Sequence, residues 1–142
     1  MAAAYEAAQR AESADEVPVG AAVMAAGDVV VVAHNETKRR RDLTCHAEVI
    51  AIHDAMQTLG VDRLDAATLY VTLEPCAQCA GAIVLARVAR VVFGAYDPKA
   101  GMAGSVGDLL AHPQLNHRPD VLGGVMAEAC GALLTAFFQN RR

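Results

Sequence analysis

The sequence predicts a three-layer α/β sandwich, one sheet with helices on both faces. Short β-rich runs alternate along the chain with segments of helical periodicity, the pattern such folds require. The length of 142 residues suits a single domain, 1–142, whose core needs no disulfides. Hydrophobic residues make up 54% and charged residues 20%, which excludes a disordered chain. Of the hydrophobic residues 30 are alanine and none is Trp, so the core must come from Val, Leu, Ile and Ala.

The elements follow in order. Ala2 to Arg10 is alanine-rich with scattered Glu, Gln and Arg, which favours helix. Val19 to Met24 and Val29 to Val32 flank a turn at Gly27-Asp28 and predict a hairpin, the four valines fitting a strand buried on both faces. Thr44 is the expected cap of the next helix, with Val49, Ile52, Met56 and Leu59 on its apolar face and Gly60 at its end. Thr68 to Leu73 is a strand, and Pro75 opens a helix whose stretch from Ala80 to Ala86, apolar all round, should be buried on most sides. Val91 to Phe93 is a strand ended by Gly94, and Val121 to Val125 a further one. The last helix carries two adjacent rows, Val125, Ala129, Leu133, Phe137 and Met126, Cys130, Leu134, Phe138, as a broad apolar stripe.

Composition also bounds function. No apolar run approaches the ~20 residues of a membrane span. The net charge of −4 argues against electrostatic coating of long nucleic acid, though not against a small site on a folded RNA. Four cysteines without a basic-then-apolar leader point to a reducing cytoplasm, where close Cys pairs bind metal or do chemistry.

Two local patterns carry that chemistry: His46-Ala47-Glu48 and Pro75-Cys76-Ala77-Gln78-Cys79, each at a predicted helix start. Residues three apart on a helix project to nearly the same side, so Cys76 and Cys79 reach one ion. The positive end of the helix favours their thiolates. With His46 they form a soft N/S set suited to zinc, and three protein ligands leave a fourth tetrahedral position open, the mark of a catalytic site. Glu48 lies ~200° from His46 on an ideal helix and so stands beside the metal, placed to handle the proton of a zinc-activated water. Read alone, CxxC also fits a redox pair or half of a structural zinc ribbon, but no thioredoxin-like surroundings and no second CxxC are present.

His-x-Glu followed by Pro-Cys-x-x-Cys is the signature of zinc nucleobase deaminases. Over nearly its whole length the sequence resembles the bacterial tRNA-specific adenosine deaminases. Among the matching segments are Glu16-Val17-Pro18-Val19-Gly20-Ala21, His34-Asn35-Glu36, Thr68 to Cys76, Asp97-Pro98-Lys99-Ala100-Gly101, Leu115-Asn116-His117-Arg118 and Phe137-Phe138. The resemblance implies a cytidine-deaminase-like fold with a five-stranded mixed sheet. It implies one zinc ion per subunit on His46, Cys76 and Cys79, and Glu48 as proton donor and acceptor. The implied reaction is hydrolytic deamination of adenosine to inosine at the wobble position, by a zinc-activated hydroxide, in a cytoplasmic homodimer that binds the anticodon arm of an arginine tRNA. Asn35 falls at the base-contacting position, and Asp97, Lys99 and Ser105 lie in the loop expected near the RNA backbone. Cys45 stands where alanine is usual and Gln78 where an apolar residue is usual, a difference expected to matter at a subunit interface.

Two other classes are weighed against this reading. A deaminase of free guanine, cytosine or nucleosides would keep the same metal site. A structural zinc protein would bind RNA or a partner without turnover, but would have no use for Glu48. The basic run Lys38 to Arg41 fits a solvated loop better than a binding patch, whereas Arg141 and Arg142 extend the last helix towards phosphate or simply suit its negative end. Cys130 is expected in the core. His34, His53, His112 and His117 lack ligand spacing to the Cys pair.

Overall fold

The computed structural model describes residues 1–141. In chain order the elements are α1 (Ala2–Ser13), β1 (Gly20–Ala25), β2 (Asp28–His34), α2 (Ala47–Leu59), β3 (Ala67–Leu73), α3 (Ala77–Ala86), β4 (Arg90–Ala95), β5 (Asp120–Leu122) and α4 (Ala127–Gln139). The strands form one sheet in the order β2-β1-β3-β4-β5. Its β2-β1-β3 part is antiparallel, while β3, β4 and β5 run parallel. A parallel neighbour needs a crossover, and α3 supplies the one between β3 and β4. The expected five-stranded mixed sheet is present.

Helices α1 and α4 pack together on one face, α2 and α3 on the other. Between the sheet and α2/α3 lies the main core, built from Val23, Leu69, Val71, Ile83, Val91, Phe93 and their neighbours. The opposite face is closed by small residues: Ala4, Ala7, Ala8 and Ala11 of α1 are fully buried on the sheet, which is where much of the alanine goes. Gly94 lies inside β4 instead of ending it, because Cys130 of α4 presses so close that a Cβ there would sit 2.7 Å from its sulfur.

Other local expectations give way to tertiary context. Strand β2 is an edge, and Val29 is 48% exposed, so the four valines report β-propensity rather than burial. The hairpin turns at Ala26 and Gly27, both with positive φ, one residue earlier than expected. Thr44 does not cap α2; its hydroxyl donates to Asp42, and the N-cap is His46. On α2, Ala47, Ala51, Ile52 and Ala55 face the core, whereas Leu59 is exposed; Gly60 closes the helix in the left-handed conformation as expected. Pro75 precedes α3 rather than opening it, since Cys76 is the N-cap. One side of α3 is bare, with Leu85 85% exposed. The last strand shrinks to three residues, and α4 starts at Ala127, with only Cys130 and Phe137 of its stripe buried and Phe138 exposed.

Candidate metal centre and active site

Two helix starts converge on one point. His46 caps α2 and Cys76 caps α3, both with extended backbone, and Cys79 follows in the first turn of α3. His46 therefore precedes its helix, and the ideal-helix angle between it and Glu48 does not apply. The positive ends of both helices face the group, which favours thiolate sulfur.

His46 Nδ1 lies 3.5 Å from Cys76 Sγ and 3.4 Å from Cys79 Sγ, and the three donor atoms all fall within 4.8 Å of one another. Zinc bonds of ~2.0 Å to nitrogen and ~2.3 Å to sulfur at tetrahedral angles give an N···S edge of ~3.5 Å. The observed separations match that edge, so the residues fit zinc. No other His, Cys, Asp or Glu joins the group among the described residues, and His34, His53, His112 and His117 all stand apart from it. Cys45 is partly buried against the core and is not a member. The Cys79 thiol and His46 bonds pull Cys76 down to about 3, while the same contact and burial push Cys79 up, which leaves the proton on Cys79. A cation there releases the remaining proton.

Glu48, in the first turn of α2, is 4% exposed, and burial pushes its carboxyl up to about 7. It lines a cavity of about 330 Å³ with His46, Cys76, Asn35 and Asp97, walled by Val17, Val19 and Leu73. That size falls within the ~300–1,000 Å³ of small-molecule sites. Asn35 Oδ1 accepts the Ala47 amide at 2.9 Å, so this side chain holds the start of α2 and offers the cavity chiefly its Nδ2 donor. A second cavity of about 580 Å³ shares Val17, Leu73 and Asp97 with the first and continues past Tyr96, Lys99 and Phe138.

The remaining predicted residues divide. Asp97 reaches the cavity, but its Oδ1 also accepts the amides of Lys99 and Ala100. Lys99 borders only the neighbouring groove. The Ser105 hydroxyl is tied to Glu74. Gln78 makes its contact inside the chain, donating to the Thr44 carbonyl at 3.0 Å. In the basic loop Lys38 pairs with Asp15 and both Arg39 and Arg40 with Glu36, which leaves it a structured surface loop. Arg141 stacks on the Phe137 ring and pairs with Asp15; Arg142 lies outside the described residues.

Sequence reasoning missed three buried glutamates. Glu36 anchors the basic loop. Glu16 accepts the Lys38 and Arg39 amides and the Thr37 hydroxyl, bonds that outweigh burial and hold its carboxyl below the usual range. Glu74 gathers the loop after β4 in the same way. The available signal was an acidic residue at the end of a β-rich run, directly before Pro75-Cys76.

The profile of the cytidine and deoxycytidylate deaminase zinc-binding region matches residues 1–95. The tRNA-specific adenosine deaminase of Bacillus subtilis (strain 168) is 47% identical over 139 residues, 98% of this chain and 86% of that protein. A chain solved in structural studies of A-to-I editing by tRNA:A34 deaminases superposes with a TM-score of 0.91 at 41% identity, covering 94% of this chain and 97% of its own. The guanine deaminase of Nitrosomonas europaea superposes with a TM-score of 0.80 at 25% identity, over 94% of this chain and 80% of its own. The chain belongs to the cytidine and deoxycytidylate deaminase family, on the branch of the tRNA-specific adenosine deaminases.

Proposed function

We propose that this protein is a zinc-dependent hydrolase that converts adenosine to inosine at the wobble position of a tRNA anticodon. The observation that carries the reading is the buried Glu48 beside a three-residue N/S ligand set, in a cavity that shares Val17, Leu73 and Asp97 with a larger groove. Two relatives named tRNA-specific adenosine deaminase, matched over 86% and 89% of their own lengths, support the tRNA substrate.

His46, Cys76 and Cys79 would hold the ion. The chemistry it supplies when bound is Lewis acidity, which makes water nucleophilic near neutral pH. Asn35 donates from Nδ2 to the flipped base and fixes its ring over the ligand set. Glu48 takes a proton from the attacking water and delivers it to N1 as the C6–O bond forms. It then transfers the second proton to the exocyclic amine, the C6–N bond breaks, and ammonia leaves. The apolar walls Val17, Val19 and Leu73 keep bulk water from the ring. Flanking nucleotides fit the neighbouring groove, where Tyr96 and Phe138 expose aromatic surface and Lys99 adds positive charge.

Incubating the protein with an anticodon stem-loop, and separately with free guanine, cytosine and adenosine, tests this. Inosine in the stem-loop is the expected result; turnover of free bases alone would replace the tRNA reading with that of a free-base deaminase. The anticodon arm of an arginine tRNA is the expected substrate and the cytoplasm the expected compartment; stem-loops of other tRNAs reacting equally well would remove that preference. No helix among the described residues is long and apolar enough to cross a membrane. The chain works as a homodimer in this reading, supported by the bare side of α3 around Leu85 and the nearby loop carrying Leu43, 84% exposed. Light scattering at micromolar concentration should report twice the chain mass, and a monomer would overturn it.

A further inference from the structure

We propose that Glu74 is a positioning residue for the substrate loop, locking residues 97–105 to the strand that delivers Cys76. Glu74 is 1% exposed, yet no cation among the described residues pairs with it. Its carboxylate instead collects four donors from one loop. Oε1 accepts the Asp97 amide at 3.0 Å and the Ser105 hydroxyl at 2.5 Å. Oε2 accepts the amides of Ala103 at 3.0 Å and Ser105 at 3.1 Å. The backbone closes the same junction, with Glu74 N bonded to Ala95 O and Met102 N to Pro75 O, each at 2.8 Å. At Gly101 the loop wraps so tightly that any Cβ would collide with the Glu74 carboxyl group.

One side chain thus connects two parts of the site. Two residues after Glu74 comes the ligand Cys76; at the other end of the hydrogen bonds lies Asp97, which borders both the cavity and the groove. The loop has little regular structure of its own, so its shape depends on satisfying these amides. Ser105 then serves the loop through its hydroxyl, not the substrate.

The donor pattern grades the variants. Ser105→Ala removes one bond. Glu74→Gln keeps volume but must turn its NH2 group towards donors. With nitrogen at Oε1 it opposes the Asp97 amide, while Ser105 rotates to accept; with nitrogen at Oε2 it opposes two amides. Glu74→Ala leaves all four donors without a partner.

The test is amide hydrogen exchange on the zinc-loaded protein, alongside steady-state kinetics on the stem-loop. In Glu74→Gln, exchange should accelerate at Asp97, Ala103 and Ser105 but not in β1 or β3. KM should rise roughly tenfold, as expected for one lost charge-assisted bond, with kcat changed less and zinc still stoichiometric. The effect should grow in the order Ser105→Ala, Glu74→Gln, Glu74→Ala. If Glu74→Ala does not fold, the other two variants carry the comparison. Unchanged exchange at the three amides in Glu74→Gln would overturn the proposal, as would a fall confined to kcat or loss of zinc. The kinetic arm rests on the tRNA deaminase reading, whereas exchange does not. A wild-type protein inert on the stem-loop would therefore defeat that reading and leave the role of Glu74 to be decided by exchange.

Discussion

Glu48→Ala is expected to retain one zinc per subunit and lose deamination by roughly 10²–10⁴-fold, the range general acid–base catalysis supplies. The carboxyl is not among the three ligand atoms, so its removal leaves the metal set whole. Its burial, which raises the pKa to about 7, keeps the group able to take a proton and return it near neutral pH. That burial disfavours the charged form, so neutral Glu48→Gln should fold at least as stably as the wild type. Glu48→Gln keeps the volume and lacks the acid function; it should be as inactive as the alanine variant. Metal analysis, thermal unfolding and inosine formation on the same preparations separate these effects. Substantial activity in either variant would remove Glu48 from its assigned role. An inactive variant that had also lost zinc would make it a ligand instead.

The contrast between Glu48 and Glu74 shows what the sequence could convey. The convergence of His46, Cys76 and Cys79 was legible because metal chemistry restricts residue type and spacing together, and both patterns fall at helix starts. The sheet was legible because Val19 to Met24, Thr68 to Leu73 and Val91 to Phe93 carry β-rich runs of the right length. What failed were judgements about which side of an element is covered. Four valines in β2 look the same whether the strand is central or at an edge, and a stretch as apolar all round as Ala80 to Ala86 does not say that the side left open is the one carrying Leu85. Capping failed for a related reason. Asn35, twelve residues before Ala47, takes the amide that local reasoning gave to Thr44. The roles of Glu16 and Glu74 were harder to read because most of their partners are backbone amides of distant loops, which leave no mark in the sequence.

Cys79→Ala should abolish stoichiometric zinc binding and, with it, deamination. The side chain is fully buried, and two ligands in place of three leave zinc weakly held. Thermal stability should fall as well, because an ion that binds only the folded chain adds RT ln(1 + [L]/Kd), ~4 kcal/mol at a thousandfold excess over Kd. A chelator separates this term from packing. Stripped of metal, wild type and variant should unfold at nearly the same temperature, since Cys to Ala removes one atom from the core. Restoring zinc should raise the melting temperature of the wild type alone. A gap between them that persists in chelator would locate the loss in core packing. A variant that still takes up one zinc per chain would place the third ligand elsewhere and undo the geometry on which both the open coordination position and the role of Glu48 depend.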